Sequence, residues 1–200
     1  VGYRTLYGLT TGLRNIAIGT QALDSTTTES DNIAIGFEAL YNPNGAQQNV
    51  VIGNYAADGL TSGSGNVILG HYAGSRLTTS GNNIVIGKNA LDWATTGWGH
   101  NIAIGSDAMG QSATTGGRNI AIGSFALKSN TSDYGSVAVG YGALQDSTGH
   151  YNTALGDQAG KVVSSGNNNT ILGWNAGDTL TTGSSNIFVG KEAGDTITTG

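Results

Sequence analysis

The sequence predicts an all-β protein, a parallel β-roll (β-solenoid) of about twelve coils of 17 residues. Three observations support this prediction. A short apolar run closed by a glycine recurs at a nearly constant interval, the residues of that run are mostly β-branched, and 34 of the 200 residues are glycine, more than twice the usual share of about 7%. Because the repeats cover the whole chain, we interpret residues 1–200 as a single repeat domain. Because the chain starts in the middle of a repeat, we expect it to be a fragment of a longer protein.

The glycine that closes each run defines the repeat. Successive glycines are 17 residues apart, except for two intervals of 18 and one of 16. The same position is held by Gly2, Gly19, Gly36, Gly53, Gly70, Gly87, Gly105, Gly123, Gly140, Gly156, Gly173 and Gly190. Glycine adopts the positive φ angles that tight corners require. A phosphate-binding loop is the alternative, but it needs several glycines and a following helix. A motif repeated twelve times is therefore interpreted as a structural corner.

The residues before the glycine predict one short strand per coil. The motif Asn-Ile-Ala-Ile-Gly occurs four times, and its Asn and Gly are the predicted repeat corners: Asn15, Gly19, Asn32, Gly36, Asn101, Gly105, Asn119 and Gly123. We expect the Asn side chains to bond along their column, as in the Asn ladders of cross-β structures. A second short strand is predicted around the alanine that stands three residues after nearly every glycine.

All three residues of the strand are apolar, which bears on assembly. We expect the outer two to fill the roll and the small middle residue to face a close neighbour. That neighbour is either a second chain or the opposite wall of the coil, and we favour self-association. The net charge of −5 leaves no basic surface for nucleic acid, and no apolar run approaches the roughly 18 residues of a membrane span. The chain has no cysteine, and no cofactor or metal motif is present.

Catalytic residues are not predicted. The three histidines fall in different columns, so they cannot combine with one another in stacked coils. One column contains recurring carboxylates, five residues after the glycine: Asp24, Asp58, Asp92, Asp178 and Asp195. Glycoside hydrolysis uses paired carboxylates about 5–9.5 Å apart, a spacing that one or two coils supply. Asx hydrogen bonds that start a turn are the alternative explanation, and it is the one we favour.

Aromatic side chains recur one or two residues after the glycine and are the candidate binding residues. Two more aromatics lie in the segment Asp-Trp-Ala-Thr-Thr-Gly-Trp-Gly-His, within one of the longer repeats. The predicted binding residues are Tyr72, Trp93, Trp98, Tyr141 and Trp174. Exposed aromatic rings are typical of sugar-binding surfaces, and loops commonly carry function. The alternative is that these rings pack between coils or between chains.

The columns resemble the head repeats of trimeric autotransporter (YadA-like) adhesins, and more closely the glycine-rich repeats of phage tail fibres. The resemblance covers the whole chain and is carried by segments such as 149–160, 166–177 and 183–194, in which an Asn-containing strand is followed by glycine and alanine. It implies a left-handed roll of three identical chains in an extracellular fibre, on a virion tail or a bacterial surface. The period departs from the 14 or so residues usual in adhesin heads.

The expected function is therefore a structural and adhesive fibre segment, most consistent with a tail fibre that spans distance and contacts a host cell surface. Its expected partners are its own copies and a cell-surface glycan or other receptor. The head or stalk of a bacterial trimeric adhesin is the alternative. A polysaccharide-degrading, tailspike-like enzyme and an ice-binding solenoid are further alternatives. The ice-binding alternative fits poorly, because the threonines are adjacent (Thr-Thr) and do not alternate on one flat face.

Overall fold

A computed structural model describes residues 1–93, 99–111, 116–129, 131–132 and 134–200. Its regular structure is eleven three-residue strands in one sheet, with no helix among the described residues. The strands are β1 (Ile16–Ile18), β2 (Ile33–Ile35), β3 (Val50–Ile52), β4 (Val67–Leu69), β5 (Ile84–Ile86), β6 (Ile102–Ile104), β7 (Ile120–Ile122), β8 (Val137–Val139), β9 (Thr153–Leu155), β10 (Thr170–Leu172) and β11 (Ile187–Val189). We call each strand and the segment that follows it a coil, numbered as its strand.

Every strand pairs in parallel with the next strand in the chain, in the register of the repeat. Ala17 lies beside Ala34, which lies beside Val51. With neighbouring strands about 4.8 Å apart, the eleven strands span about 48 Å. This confirms the predicted β-solenoid of about 17-residue coils. The sequence repeats twelve times but forms eleven strands, because the first repeat contributes only its end, where the amino group of Val1 bonds to the carbonyl of Ala17 (2.8 Å).

The strand faces the opposite way from our prediction. In all eleven strands the middle residue is buried inside the coil, and the first and third point outward. Ala34 and Val85 are fully buried, whereas Ile84 and Ile86 are 39% and 36% exposed. The interior of so short a coil is narrow, since the opposite wall is itself built from buried alanines such as Ala39. The close neighbour of the middle residue is therefore that wall, and the first and third side chains of the strand remain outside.

The predicted second strand is a turn. Glu38 and Leu40, on either side of the buried Ala39, have φ angles of 52° and 48°. Left-handed residues two apart bend the chain around the alanine, so it cannot extend as a strand. The same pair of positions has positive φ in the neighbouring coil, at Tyr55 and Ala57.

After the corner glycine, ten of the eleven coils bury one large aliphatic side chain, in one of two places. In one type of coil it is the fourth residue after the glycine: Leu23, Leu40, Leu91, Met109, Leu127 and Leu144. In the other type that position is alanine or glycine, and the large residue comes three positions later: Leu60, Leu77, Val163 and Leu180. The change from the second type to the first between coils 4 and 5 alters the turns that form the candidate site.

The asparagine before each strand bonds to the coils on both sides. Asn66 donates from Nδ2 to Oδ1 of Asn49 (3.0 Å) and accepts at its own Oδ1 from the backbone N–H (3.0 Å) and the Nδ2 (2.9 Å) of Asn83. Its Nδ2 also donates to the carbonyl of Ser80 (3.2 Å), across the coil. The amides thus form the expected ladder, and several of them also tie the two ends of their own coil together, as in the bonds from Asn49 to Gly63 and from Asn169 to Gly183.

Replacing Asn66 by Ala should lower the free energy of unfolding by about 2–4 kcal/mol, because it leaves buried donors of Asn83 and the carbonyl of Ser80 without their partner. Urea denaturation followed by circular dichroism measures this. Asn66→Ser is the matched control, since Ser136 occupies this column and its Oγ accepts from the backbone N–H of Asn152 (3.0 Å). The serine variant should lose less stability than the alanine variant, and equal losses would contradict a role for the ladder.

The corner glycine is required by both conformation and space. Gly70 has a φ of +139°, and a Cβ there would lie 2.5 Å from the carbonyl oxygen of Gly87 in the next coil. Gly190 has a similar φ of +122° but nothing within 4 Å of a Cβ.

The pair Gly70→Ala and Gly190→Ala separates these two requirements. The change at Gly190 should cost about 1–3 kcal/mol, the usual price of a strained backbone conformation. The change at Gly70 should cost more, because the coils must also move apart. Thermal and urea unfolding of both variants give the comparison. Equal destabilisation would mean that the close stacking of corners adds nothing.

Candidate functional site

The predicted binding residues lie at separate heights along the solenoid. Tyr72 and Trp93 follow strands β4 and β5 and are therefore on neighbouring coils. Tyr141 and Trp174 are on coils 8 and 10, about 19 and 29 Å from the height of Tyr72 at 4.8 Å per coil. Trp98 lies outside the described residues. The structure thus places two of the five, Tyr72 and Trp93, on neighbouring coils. The candidate site includes Tyr72 and Arg76, whose guanidinium lies over Trp93.

The aromatic rings of coils 2, 3 and 4 stack along the axis. Tyr55 meets Phe37 edge-on at 5.1 Å between centroids and lies parallel to Tyr72 at 4.9 Å, with 7° between the planes. His71 is 4.3 Å from Tyr72 and 6.3 Å from Tyr55, so it lies beside the pair and not opposite Tyr55. These contacts are the packing between coils that the sequence left as an alternative. Among the described residues no aromatic ring meets the face of Tyr72 opposite Tyr55, and Asn89 holds this column in coil 5.

Tyr141 and Trp174 have contacts of the same kind elsewhere. Tyr141 meets Phe125 of the preceding coil edge-on at 5.5 Å. The Trp174 ring lies under the ammonium group of Lys191, 4.9 Å from the ring centroid, at a distance typical of cation–π contacts. Both rings remain about half exposed, at 51% and 44%.

A groove with a volume of about 560 Å³ opens beside the free face of Tyr72. It extends over coils 3, 4 and 5 and has an aromatic ring, two carboxylates and neutral and cationic donors in its wall. Its lining residues are Asp58, Gly59, Tyr72, Ser75, Arg76, Asn89 and Asp92. The volume is within the range of small-molecule sites, about 300–1,000 Å³.

Two columns of the repeat build the polar wall of the groove. Asp58, Ser75 and Asp92 occupy one column, and the Ser75 hydroxyl donates to Oδ1 of Asp92. In the adjacent column the guanidinium of Arg76 lies over the Trp93 ring, 3.6 Å from its centroid. Gly59 precedes Arg76 in that column and has no side chain, so the space beside Arg76 stays open.

The groove partly buries Asp58 and carries excess negative charge. Burial raises the pKa of Asp58 to about 6, and the nearby carboxylates of Glu38 and Asp92 raise this pKa further. Hydrogen bonds from the backbone N–H groups of Asp58 and Gly59 lower it. Among the residues that line the groove, two carboxylates face one cation, Arg76. Perturbed titratable groups in a concave site are typical of functional sites.

Sequence reasoning identified part of this site. It singled out Tyr72, Trp93 and the acidic column, and it assigned the carboxylates to turn hydrogen bonds. It missed Arg76 and Asn89, because each is an isolated polar residue along the chain. Writing the repeats as stacked rows places Arg76 directly before Trp93 in one column, and this adjacency was the available signal. Clustered carboxylates in a groove are also what the polysaccharide-degrading alternative requires.

In the part of the chain that is described, no group of three or more histidines, cysteines or carboxylates could hold a metal ion. The residues of the groove can act through hydrogen bonds, ring stacking and charge, and the hydroxyl of Ser75 is engaged with Asp92.

Asp58 should destabilise the fold at neutral pH. Its pKa of about 6 exceeds the ordinary 3.8, so the folded chain binds more protons than the unfolded chain between these values. The free energy of unfolding then falls as pH rises through this interval. Asp58→Asn should raise the free energy of unfolding by about 1 kcal/mol at pH 7.5, a value discounted for the solvent exposure of the carboxylate. At pH 3.5 the variant should leave the free energy of unfolding nearly unchanged.

Urea unfolding at the two pH values tests this expectation. Asp195→Asn is the control, since Asp195 is an exposed carboxylate of the same column at the far end of the chain. A loss of stability in Asp58→Asn at pH 7.5 would mean that the charged form supports the turn instead.

In the described residues no helix is long and apolar enough to cross a membrane. Comparisons of the chain with protein-family models, with curated proteins and with solved structures find no match. The geometry of the coils is therefore the basis for assigning a function.

Proposed function

We propose that this chain is a structural and adhesive segment of an extracellular fibre, in which three copies associate side by side to span distance and contact a cell surface. A phage-type tail fibre is the assignment we favour, and the head or stalk of a bacterial surface adhesin is the alternative. Both follow from the resemblance of the repeats. The observation that carries the proposal is a continuous apolar sheet face that no part of the described chain covers.

That face is formed by the outward side chains of the eleven strands. Each strand contributes two of them, and all are aliphatic except Thr153 and Thr170. The middle of the face remains open to solvent, with Ile84 at 39% and Ile86 at 36%, and its end is more exposed, with Ile187 at 75%. About 48 Å of length and three residues of width give on the order of 500 Å² in projection. Contiguous apolar surface of this size marks an interaction site.

A second copy of this chain is the partner that the face fits best. Its columns repeat at the spacing of paired strands, about 4.8 Å, and the face bears no charge that would select an oppositely charged partner. Rows of aliphatic side chains interdigitate along their whole length only with rows of the same pitch. A rod with identical coils supplies that pitch, and a closed ring of copies would cover the face on every chain.

The solenoid also suits a spacer. Each added coil lengthens the rod by about 4.8 Å, and the same hydrogen bonds recur at each step, as with the bonds from Gly36 to Ile18 and from Gly53 to Ile35, both 2.8 Å. Length therefore grows by repetition and needs no new type of contact. A protein with this construction separates whatever is attached to its two ends.

Ile84→Lys should break the assembly. Three lysines brought together in an apolar contact would repel and be desolvated, at a cost of several kcal/mol. We expect the unmodified chain to sediment as a trimer in analytical ultracentrifugation and the variant to sediment as a monomer.

Thr79→Lys is the matched control, because Thr79 is exposed on a turn of the neighbouring coil and adds the same charge away from the sheet. It should remain trimeric, and circular dichroism should show that both variants keep their strands. A stable monomer of the unmodified chain would refute the proposed assembly.

A further inference from the structure

We infer that the groove over coils 3, 4 and 5 binds a neutral pyranose residue of a surface glycan, stacked on the free face of Tyr72. The biological meaning of this site rests on the proposed adhesive function, whereas the binding itself requires only the groove of one chain. The residues we assign to it are Asp58, Tyr72, Ser75, Arg76, Asn89 and Asp92.

The ring of Tyr72 provides the apolar half of the site. Tyr55 supports one face of it at 4.9 Å in nearly parallel orientation, and His71 lies at its side. The ring is thereby held in place, and its other face borders the groove, where the column continues with the short side chain of Asn89. One face of a pyranose presents several C–H groups, which pack favourably on an aromatic ring. A supported ring with one open face is the platform that such stacking needs.

The polar half of the site matches the hydroxyl groups of a sugar. Each hydroxyl both donates and accepts a hydrogen bond. The carboxylate of Asp92 accepts from hydroxyl groups, while the guanidinium of Arg76 and the amide of Asn89 donate to them. Ser75 is 7% exposed and donates to Asp92, and Trp93 supports the guanidinium at 3.6 Å. Both charged groups are thus held before a ligand arrives, which lowers the entropy cost of binding.

Charge favours a neutral sugar over an acidic one. Asp58 and Asp92 line the groove together with a single cation, and Glu38 is close enough to Asp58 to raise its pKa. A sugar carboxylate or phosphate would approach a negative surface and lose its hydration there, an arrangement that costs affinity. A neutral pyranose avoids this cost and uses the same carboxylates as hydrogen-bond acceptors.

The test uses the full chain and four methyl glycosides: those of glucose, galactose, mannose and N-acetylneuraminic acid. Saturation-transfer NMR and titration calorimetry at pH 7.5 should detect at least one neutral glycoside with a dissociation constant in the millimolar range or tighter, and no binding of the acidic one. Tyr72→Ala and Asp92→Asn should each weaken binding of that neutral glycoside at least tenfold. Tyr72→Phe keeps the ring and should bind within about threefold of the unmodified chain.

Tyr151→Ala is the matched control, because it removes another half-exposed tyrosine with a positive φ, far from the groove, and it should leave binding unchanged. The inference is wrong if the acidic glycoside binds best, if no neutral glycoside binds, or if Tyr72→Ala and Tyr151→Ala behave alike. Release of reducing ends from a polysaccharide, abolished by Asp58→Asn, would replace the binding role with a hydrolytic one. If the chain is a monomer that still binds the sugar, the proposed trimer is wrong and the binding site stands. If the chain is a trimer that binds no sugar, the binding site is wrong and the proposed trimer stands.

Discussion

The closure of each coil within about 17 residues, stacked directly on the next, is the constraint from which the other features follow. The coil encloses the middle residue of every strand, whether it is Ala34, Val85 or Ile68, and leaves the first and third side chains outside. The close stacking of coils requires glycine at the corner, where a Cβ on Gly70 would lie 2.5 Å from the carbonyl oxygen of Gly87 in the next coil. The apolar outer face thus results from the closure of the coil, and the corner glycine results from its stacking.

Repetition along the axis explains where a specific site can form. Where columns are identical, every coil presents the same surface, so a groove requires coils that differ. Coils 3, 4 and 5 differ in several ways: Gly59 leaves space before Arg76, the column of Tyr72 continues with Asn89, and the large core residue moves from Leu77 to Leu91. Coil 5 is also one of the two with an extra residue. The candidate site therefore lies where the pattern is broken.

The period, the strand positions, the corners and the Asn ladder were predictable, because each depends on residues of one type at one spacing. The inward and outward sides of the strand were not, since Ile, Ala and Ile are all apolar and hydrophobicity alone does not indicate which side is enclosed. The turn around Ala39 was missed because the positive φ angles of Glu38 and Leu40 belong to residue types that seldom adopt them. The role of Arg76 could not be predicted from its neighbours in sequence, because it depends on its contact with Trp93 of the next coil.

Assembly and binding use different parts of the coil. The apolar face consists of strand residues before the corner glycine, whereas the groove consists of residues two to six positions after it, so no residue serves both. In the proposed trimer each chain would present its groove at the same height on the fibre. Three weak sites held together bind a repetitive glycan with far greater avidity than one. Millimolar affinity at each groove is therefore compatible with firm attachment of the proposed fibre.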